Sequence, residues 1–338
     1  MTSADARANL LRMIHGFQAS QAIYVAATLG LADLLDSGPR AVTDLATATR
    51  TEPHALYRLM RALASIGVFS EDQSRTFTLT PMAEFLRTNM AGSHSSMAQL
   101  IGRSNFWGAW GELLQAVRTG TTAFDHVHGC NVWEYRAGHP EESTIFDRAM
   151  ASGTERYAEA VMEVYDFGGF QHVVDVGGGD GAFLGKILSR YPSVQGTLFD
   201  QPHVIEKAGR LFQNSILLQR CRMVSGNFFV DIPDGADAYL LKWILHDWDD
   251  TAAIDIMRTC RKAMPQGSRL LIVEHVIGPP NSTPDANFMD LMMMVMNGGR
   301  ERTQEEFASL LSKAGFQLAS LIKTESPLSV IEARAGHS

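Results

Sequence analysis

The stretch Val173-Val-Asp-Val-Gly-Gly-Gly-Asp-Gly-Ala182 limits this chain more than any other part of it. A short apolar run leads into a cluster of glycines and then into Phe183 to Arg190, whose apolar spacing is helical. Strand, glycine turn and helix in that order let a ligand approach the backbone where any Cβ would intrude. Asp200 closes the next apolar run, where a carboxylate can accept hydrogen bonds from both ribose hydroxyls of an adenosine. Gly177-x-Gly179-x-x-Ala182 also satisfies the dinucleotide fingerprint in its Gly/Ala form, so the motif alone admits a nicotinamide-dependent oxidoreductase as well.

From His172 onward, short apolar runs (172–176, 196–199, 238–241, 269–273) alternate with amphipathic stretches (183–190, 252–264, 303–314). That alternation predicts a parallel, doubly wound α/β sheet, Rossmann-like in outline. Thr303-x-x-Glu306 is a capping box for the last helix, and 316–322 and 328–333 are two further strands joined at Pro327.

The first 95 residues read differently: a helix over 7–28, two short helices over 43–48 and 53–66, then a hairpin closed by Pro81. This is the outline of a winged helix, a fold often used to read DNA. Residues 1–95 hold eight Arg and no Lys against eight Asp plus Glu, whereas a groove-binding module is clearly basic. Dimerisation is therefore the expected use. Residues 96–165 read as linking helices rich in aromatics and broken by Gly120, Gly129 and Pro140, and 166–338 as the ligand-binding domain.

The formal net charge of −8, with no run of five or more like charges, points away from nucleic acid and anionic membranes. Residues 1–30 lack a basic start followed by an apolar stretch, so a cytoplasmic protein is expected. Cys130, Cys221 and Cys260 have neither the number nor the spacing of a disulfide framework or a zinc site and are expected to be ordinary buried thiols.

Five further blocks then separate the possibilities: Phe199-Asp-Gln-Pro-His203, Ser225-Gly-Asn-Phe-Phe229, Leu241-Lys-Trp-Ile-Leu-His-Asp-Trp-Asp-Asp250, Val273-Glu274 and Gly298-Gly-Arg-Glu-Arg-Thr303. In content and order they resemble the class I S-adenosylmethionine-dependent O-methyltransferases of the plant caffeate type and their bacterial antibiotic-tailoring relatives. The resemblance covers nearly the whole chain. It implies a homodimer built on the N-terminal domain, a metal-free reaction and a hydroxylated aromatic acceptor. Asp200 would hold the ribose, and Asn227 and Phe228 would flank the adenine. Asp175, Gly177, Gly179, Gln201, Gly226 and Lys242 would complete the cofactor site. Many relatives carry an Asp where this chain has Asn227; the amide oxygen can still accept from the adenine amino group.

Methyl transfer from a sulfonium needs an in-line nucleophile and a dry site, and a phenol with a pKa of about 10 also needs a base. His246 follows the run Tyr239 to Leu245 at the carboxyl end of a strand, where doubly wound sheets bind ligands. Glu274 and Glu301 are placed to orient and steady its ring, and the resemblance gives all three positions to the catalytic histidine and its flanking acids. Two other readings stand beside this: Glu274 as partner of a backbone amide, and Glu301 as partner of Arg300 or Arg302.

For the acceptor, Phe288-Met-Asp-Leu-Met-Met-Met-Val-Met296 has five methionines in nine residues, suited to gripping a flat ring or to filling a core or dimer interface. Met289 and Met293 lie on one helical face of it. Phe146 and Met150 match positions that clamp the acceptor in the resembled enzymes, with Trp107, Trp243 and Asp247 as further contacts. Such a lining suits a phenolic acid, a flavonoid, a phenazine or a polyketide quinone alike.

Overall fold

A computed structural model describes residues 3–90, 92–212 and 219–336. The chain forms two compact units: Met1–Trp107 with Arg136–Gly153, and Gly108–Tyr135 with Thr154–Ser338.

In the first unit, strands β1 (Arg40–Ala41), β2 (Phe69–Glu71) and β3 (Thr76–Leu79) form a small sheet in the order β1-β3-β2. Beside it lie the helices Val42–Thr49 and Pro53–Ser65, giving the expected winged-helix outline. The second helix starts where the sequence supplies both a cap and a proline. The Glu52 carboxylate accepts from the amides of His54 and Ala55, and Pro53 needs no partner in the first turn. Its face Leu56, Met60 and Leu63 is buried with Leu31, Leu45, Phe69 and Phe77. The single helix expected over 7–28 is instead two, Ser3–Ile14 and Gly16–Thr28, parting at His15 and Gly16, both poor helix formers. The first of them buries no residue.

The second unit is built on a sheet with the order β10-β11-β8-β7-β4-β5-β6. Its strands are β4 (His172–Val176), β5 (Gln195–Asp200), β6 (Cys221–Ser225), β7 (Ala238–Lys242), β8 (Arg269–Ile277), β10 (Phe316–Lys323) and β11 (Leu328–Ala335). A two-residue strand, β9 (Arg302–Thr303), pairs with the end of β8. Strands β4 to β8 are parallel, as the alternation of runs predicts. The last two depart from that pattern and run antiparallel. The short link between them is long enough for a hairpin and far too short for a parallel crossover.

Both faces of the sheet are apolar. Val174, Tyr239, Leu241 and Ile272 pack on one side, and Val173, Leu240, Leu271 and Val273 on the other. A strand buried on both faces reads as an unbroken apolar run, which is why these strands are legible in the sequence. β6 is an edge strand with partly exposed or exposed positions after its first residue and has no such run.

Pro140, expected to interrupt, opens the long helix Pro140–Val164, a position where its missing N–H costs nothing. Gly120 and Gly129 end their helices in the left-handed conformation. The 96–165 stretch is thus mostly helical and is shared between the two units. All three thiols are free; Cys221 and Cys260 are buried and Cys130 partly so. Among the described residues no helix is long and apolar enough to cross a membrane.

Candidate active site

The ends of β4, β5 and β6 meet at the glycine turn. Gly177 and Gly179 have φ of 71° and 62°, a region that costs L side chains strain. A Cβ on Gly177 would lie 2.5 Å from Ile244 Cδ1, and one on Gly178 would lie 2.6 Å from the Asp175 carboxylate. The turn is tied to its neighbours through Asp200, which accepts from the amides of Gly179 (2.9 Å) and Gln201 (2.6 Å). The amide of Gly226 in turn donates to the Asp200 carbonyl (3.0 Å). Asp175, Gly177, Gly179, Asp200, Gln201 and Gly226 are therefore brought together around the turn.

Phe228 also belongs here, with its ring 3.6 Å from where a Gly177 Cβ would stand and edge-on to Trp248. Asn227 follows Gly226, and its Oδ1 accepts from the amide of Phe229 (3.0 Å), which shapes the local turn.

Beneath the turn, burial pushes Asp175 up to about 7 against the pull of Lys242. Burial likewise pushes Lys242 down to about 8 against the pull of Asp175. The Asp175 Oδ2 is buried without a hydrogen-bond partner, an arrangement proteins retain for a reason. A turn cleared of Cβ atoms, a carboxylate at the ribose position and a buried orphan carboxylate oxygen together fit a cationic adenosyl amino acid.

At the end of β7 the chain turns through Trp243, whose φ of 55° is a strained value for a non-glycine residue, costing about 1–3 kcal/mol. The Lys242 ammonium sits 3.8 Å from the Trp243 ring centre, and Tyr157 meets that ring edge-on. A single helical turn, Leu245–Asp247, follows. Its donors and acceptors are held from opposite sides. Glu274 Oε1 accepts from the amides of Ile244 (3.1 Å), Leu245 (2.6 Å) and His246 (3.2 Å). The fully buried Arg302 guanidinium donates to the carbonyls of Leu245 (3.0 Å) and Trp248 (2.9 Å) and to Asp250 Oδ1. The amide of Arg300 donates to the His246 carbonyl (2.9 Å).

This clamp carries one imidazole. Glu301 is acceptor-only when ionised, so His246 donates its Nδ1–H to Glu301 Oε1 at 2.7 Å, and in the neutral ring Nε2 is the nitrogen left to take a proton. Asp247 Oδ1 lies 3.6 Å from that Nε2, outside hydrogen-bond reach, and instead accepts from the Asn297 side chain. Asn297 also contacts the Met293 sulfur at 3.7 Å, which ties the methionine helix Pro284–Met296 to the turn.

Glu301 thus pairs with the ring; Arg300 is taken by Glu306 and Arg302 by Asp250. Glu274 is not a second partner of the imidazole, a correction to the flanking-acid expectation. It orients the backbone that bears the ring, because its Oε1 already serves three amides.

Burial opposes charge on His246, but the adjacent Glu301, with Asp247 and Glu274 behind it, outweighs burial and raises its pKa above the ordinary histidine range. Burial also opposes charge on Glu301 and is the largest single effect there, but the His246 imidazole, with His275 behind it, outweighs desolvation and holds the carboxyl below the usual carboxylate range. The sign for catalysis follows. A raised pKa keeps the base protonated at low pH, so turnover dependent on it should rise through a limb above the unperturbed value of about 6.5. Glu301→Gln removes the charge that favours imidazolium, and that limb should move down by about 1–3 pH units, read from kcat/KM against pH.

The other expected acceptor contacts divide between the units. Met289 is partly buried and Met293 buried on the second unit's methionine helix, whose Phe288 is 66 % exposed. Phe146, Met150 and Trp107 belong to the first unit. There Phe146 and Met150 pack beside Leu100, Ile145 and Ala149, with Arg136 over the Phe146 ring, while Trp107 meets Phe17 edge-on. Sequence reasoning alone reads Arg302 only as a rival partner for Glu301 and gives no role to Gly299 or Asn297. The signal for the first two is the Gly298 to Thr303 block itself, whose other members turn out to matter as much as Glu301.

Comparison with known proteins agrees with this geometry. Residues 110–317 match the model of the O-methyltransferase domain, and residues 11–89 that of the O-methyltransferase dimerisation domain. A phenazine O-methyltransferase of Lysobacter antibioticus is 42% identical over 96% of this chain and 95% of its own. The structure of N,N-8-amino-8-demethyl-D-riboflavin dimethyltransferase from Streptomyces davawensis superposes with a TM-score of 0.84 at 34% identity, over 99% of this chain and 100% of that one. Human N-acetylserotonin methyltransferase, solved in complex with S-adenosylmethionine, gives a TM-score of 0.92 at 27% identity over the whole of both chains. The glycine turn, the carboxylate that closes the next strand and the clamped histidine therefore belong to a member of the S-adenosylmethionine-dependent O-methyltransferase family.

Proposed function

We propose that this enzyme methylates a hydroxyl of a small aromatic natural product, with His246 as general base and Glu301 as the acid that orients it. The observation that carries the reading is the buried 2.7 Å His246–Glu301 hydrogen bond, which fixes the tautomer of the neutral ring and leaves Nε2 to take a proton. S-adenosylmethionine, when bound, supplies a methyl group already activated by its sulfonium. Asp200 would hold its ribose, Phe228 would pack against its adenine, and Asp175 and the amides of the glycine turn would face its amino-acid part. Lys242 would add a polar contact. Nε2 takes the acceptor's hydroxyl proton as the oxygen attacks, and Glu301 stabilises the imidazolium formed. Asp247, Trp243, Met289 and Met293 are the second unit's acceptor contacts. The scheme uses no metal, and among the described residues no group of His, Cys, Asp and Glu is placed to hold one.

Homodimerisation is part of the proposal. Leu10, Leu11, Met13, Ile14 and Phe17 are each more than half exposed, an apolar stripe that a second copy would cover. The matching dimerisation domain supports that use. Nucleic acid is not a proposed partner, since the charges of residues 1–95 sum to zero.

The melting temperature of the protein in S-adenosylhomocysteine, NAD and NADP tests the cofactor, because a ligand that binds only the folded state raises it. Saturation with S-adenosylhomocysteine at 100 times its Kd should stabilise the protein by about 2.7 kcal/mol, with no shift from the nicotinamides. A shift with NAD or NADP alone would sink the reading. Methylated products from a phenol panel should lack a free hydroxyl. One relative is named for methylating nitrogen, and a product that keeps its hydroxyl would assign this chain to that chemistry instead.

A further inference from the structure

Glu301 stands between two buried histidines. Its Oε1 is 2.7 Å from His246 Nδ1 and 3.6 Å from the Nδ1 of His275, which follows Glu274 on β8. His275 is 4 % exposed, and neither its Nδ1 nor Glu301 Oε2 has a hydrogen-bond partner. An unpaired ring nitrogen and an unpaired oxygen of the carboxylate it faces lie in a dry interior, where leaving each one unpaired costs about 1–3 kcal/mol. A small rotation of the carboxylate joins them. The Glu301 main chain is fixed by a hydrogen bond from its amide to Asp290 Oδ1 (2.9 Å), and β9 begins one residue later, so the side chain is the part that turns.

We infer that His275 is a positioning residue of the methyl transfer: it donates Nδ1–H to Glu301 and thereby sets how strongly Glu301 raises the basicity of His246. The inference rests on His246 being the base. A hydrogen bond donated to a carboxylate disperses its charge, so Glu301 stabilises the His246 imidazolium less than it would alone. His246 is then neutral, and able to act, at a lower pH than a simple His–Glu pair would allow. The tilt of the carboxylate also fixes the ring through the bond they share.

The remaining charged or titratable groups around this trio are few. The catalytic turn brings Asp247, β8 brings Glu274, the loop into β9 brings Arg300 and Arg302, and the methionine helix brings Asp290. β11, paired with β8 on its other side, sets the apolar Leu328 opposite His275. Among the described residues the two imidazoles are the basic groups within ion-pair distance of the Glu301 carboxylate.

The test is the pH dependence of kcat/KM for wild type, His275→Gln and His275→Leu, with S-adenosylhomocysteine affinity measured alongside. His275→Leu should move the acid limb to higher pH by on the order of one unit. His275→Gln, whose amide can donate in place of the ring, should keep the limb near its wild-type position. Cofactor affinity should be the same in all three. A limb that stays in place in a folded His275→Leu protein, whatever happens to its melting temperature, overturns the inference and leaves His246 as base untouched. A wild-type profile with no such limb removes the base reading itself.

Nitrogen NMR of histidine-labelled wild type decides the matter even if His275→Leu does not fold. The His275 Nδ1 signal should be that of a protonated nitrogen and should move in Glu301→Gln. A bare Nδ1 overturns the inference.

Discussion

His246→Ala should lose about 10²–10⁴-fold in turnover while binding S-adenosylhomocysteine as tightly as the parent enzyme. The two effects separate because the cofactor site, Lys242 at the end of β7 apart, hangs on other strands than the ring. Asp175 lies on β4 and the glycine turn follows it, and Asp200 closes β5, whereas His246 sits in the turn after β7. Removing the imidazole leaves the amides of Ile244 to His246 on Glu274 and the carbonyls of Leu245 and Trp248 on Arg302, so the backbone of the turn has no reason to move. Only the proton acceptor is lost. Single-turnover measurements at saturating acceptor, with isothermal titration of the cofactor product, check both halves. If turnover at neutral pH survives with only a small loss, placement and desolvation drive the transfer alone and the base assignment fails. The loss should also shrink as pH approaches the acceptor's own pKa of about 10, because a phenolate needs no base.

Much of this site is legible in the sequence, and what is not has physical reasons. A strand buried on both faces announces itself as an apolar run, so β4, β5, β7 and β8 and the polar residues at their ends (Asp200, Lys242, His246, Glu274) can be placed from the order of residues alone. Glycine turns announce themselves too, because only glycine readily tolerates the φ of Gly177 and Gly179. What a side chain does after the strand ends is harder. Glu274 and Glu301 look alike in the sequence, yet one holds three backbone amides and the other one imidazole. The difference depends on which oxygen faces which element across the sheet edge. Asn227 sits where a ligand contact is expected and also bonds its own turn, a local use that Asn always offers and the sequence does not announce. Arg302 reads as a rival partner for Glu301, and nothing about an arginine in a loop marks it as fully buried. The antiparallel β10–β11 pair is, by contrast, implicit in the short link at Pro327, since so few residues cannot return a chain to run parallel.

Gly299→Ala should cost about 10²-fold or more in kcat, with cofactor affinity retained, although residue 299 carries no functional group. Gly299 does not sit in the left-handed region, so backbone freedom is not what the position requires; it requires space. An added Cβ would stand 2.0 Å from the His246 carbonyl oxygen, 2.5 Å from the Asp247 carbonyl carbon and 2.7 Å from the Trp248 nitrogen. All three are main-chain atoms, so no rotamer change relieves the contact and one backbone must retreat by about 1 Å or more. The catalytic turn is pinned by Glu274 on one side, and the Gly298–Thr303 loop is pinned by Arg302 and by the Thr303–Glu306 capping box on the other. Whichever yields, the Nδ1–Glu301 bond opens or the ring leaves its line to the acceptor, and misplacement of that size costs about a hundredfold. The glycine turn at Gly177 to Gly181 lies on other strands, so the S-adenosylhomocysteine shift should persist in the same variant. Its companion loss should be in stability, by about 1–3 kcal/mol as for other overpacked sites. Normal turnover in a folded Gly299→Ala protein would show that the loop can move without the histidine, and that the close backbone contact does not set the position of the base.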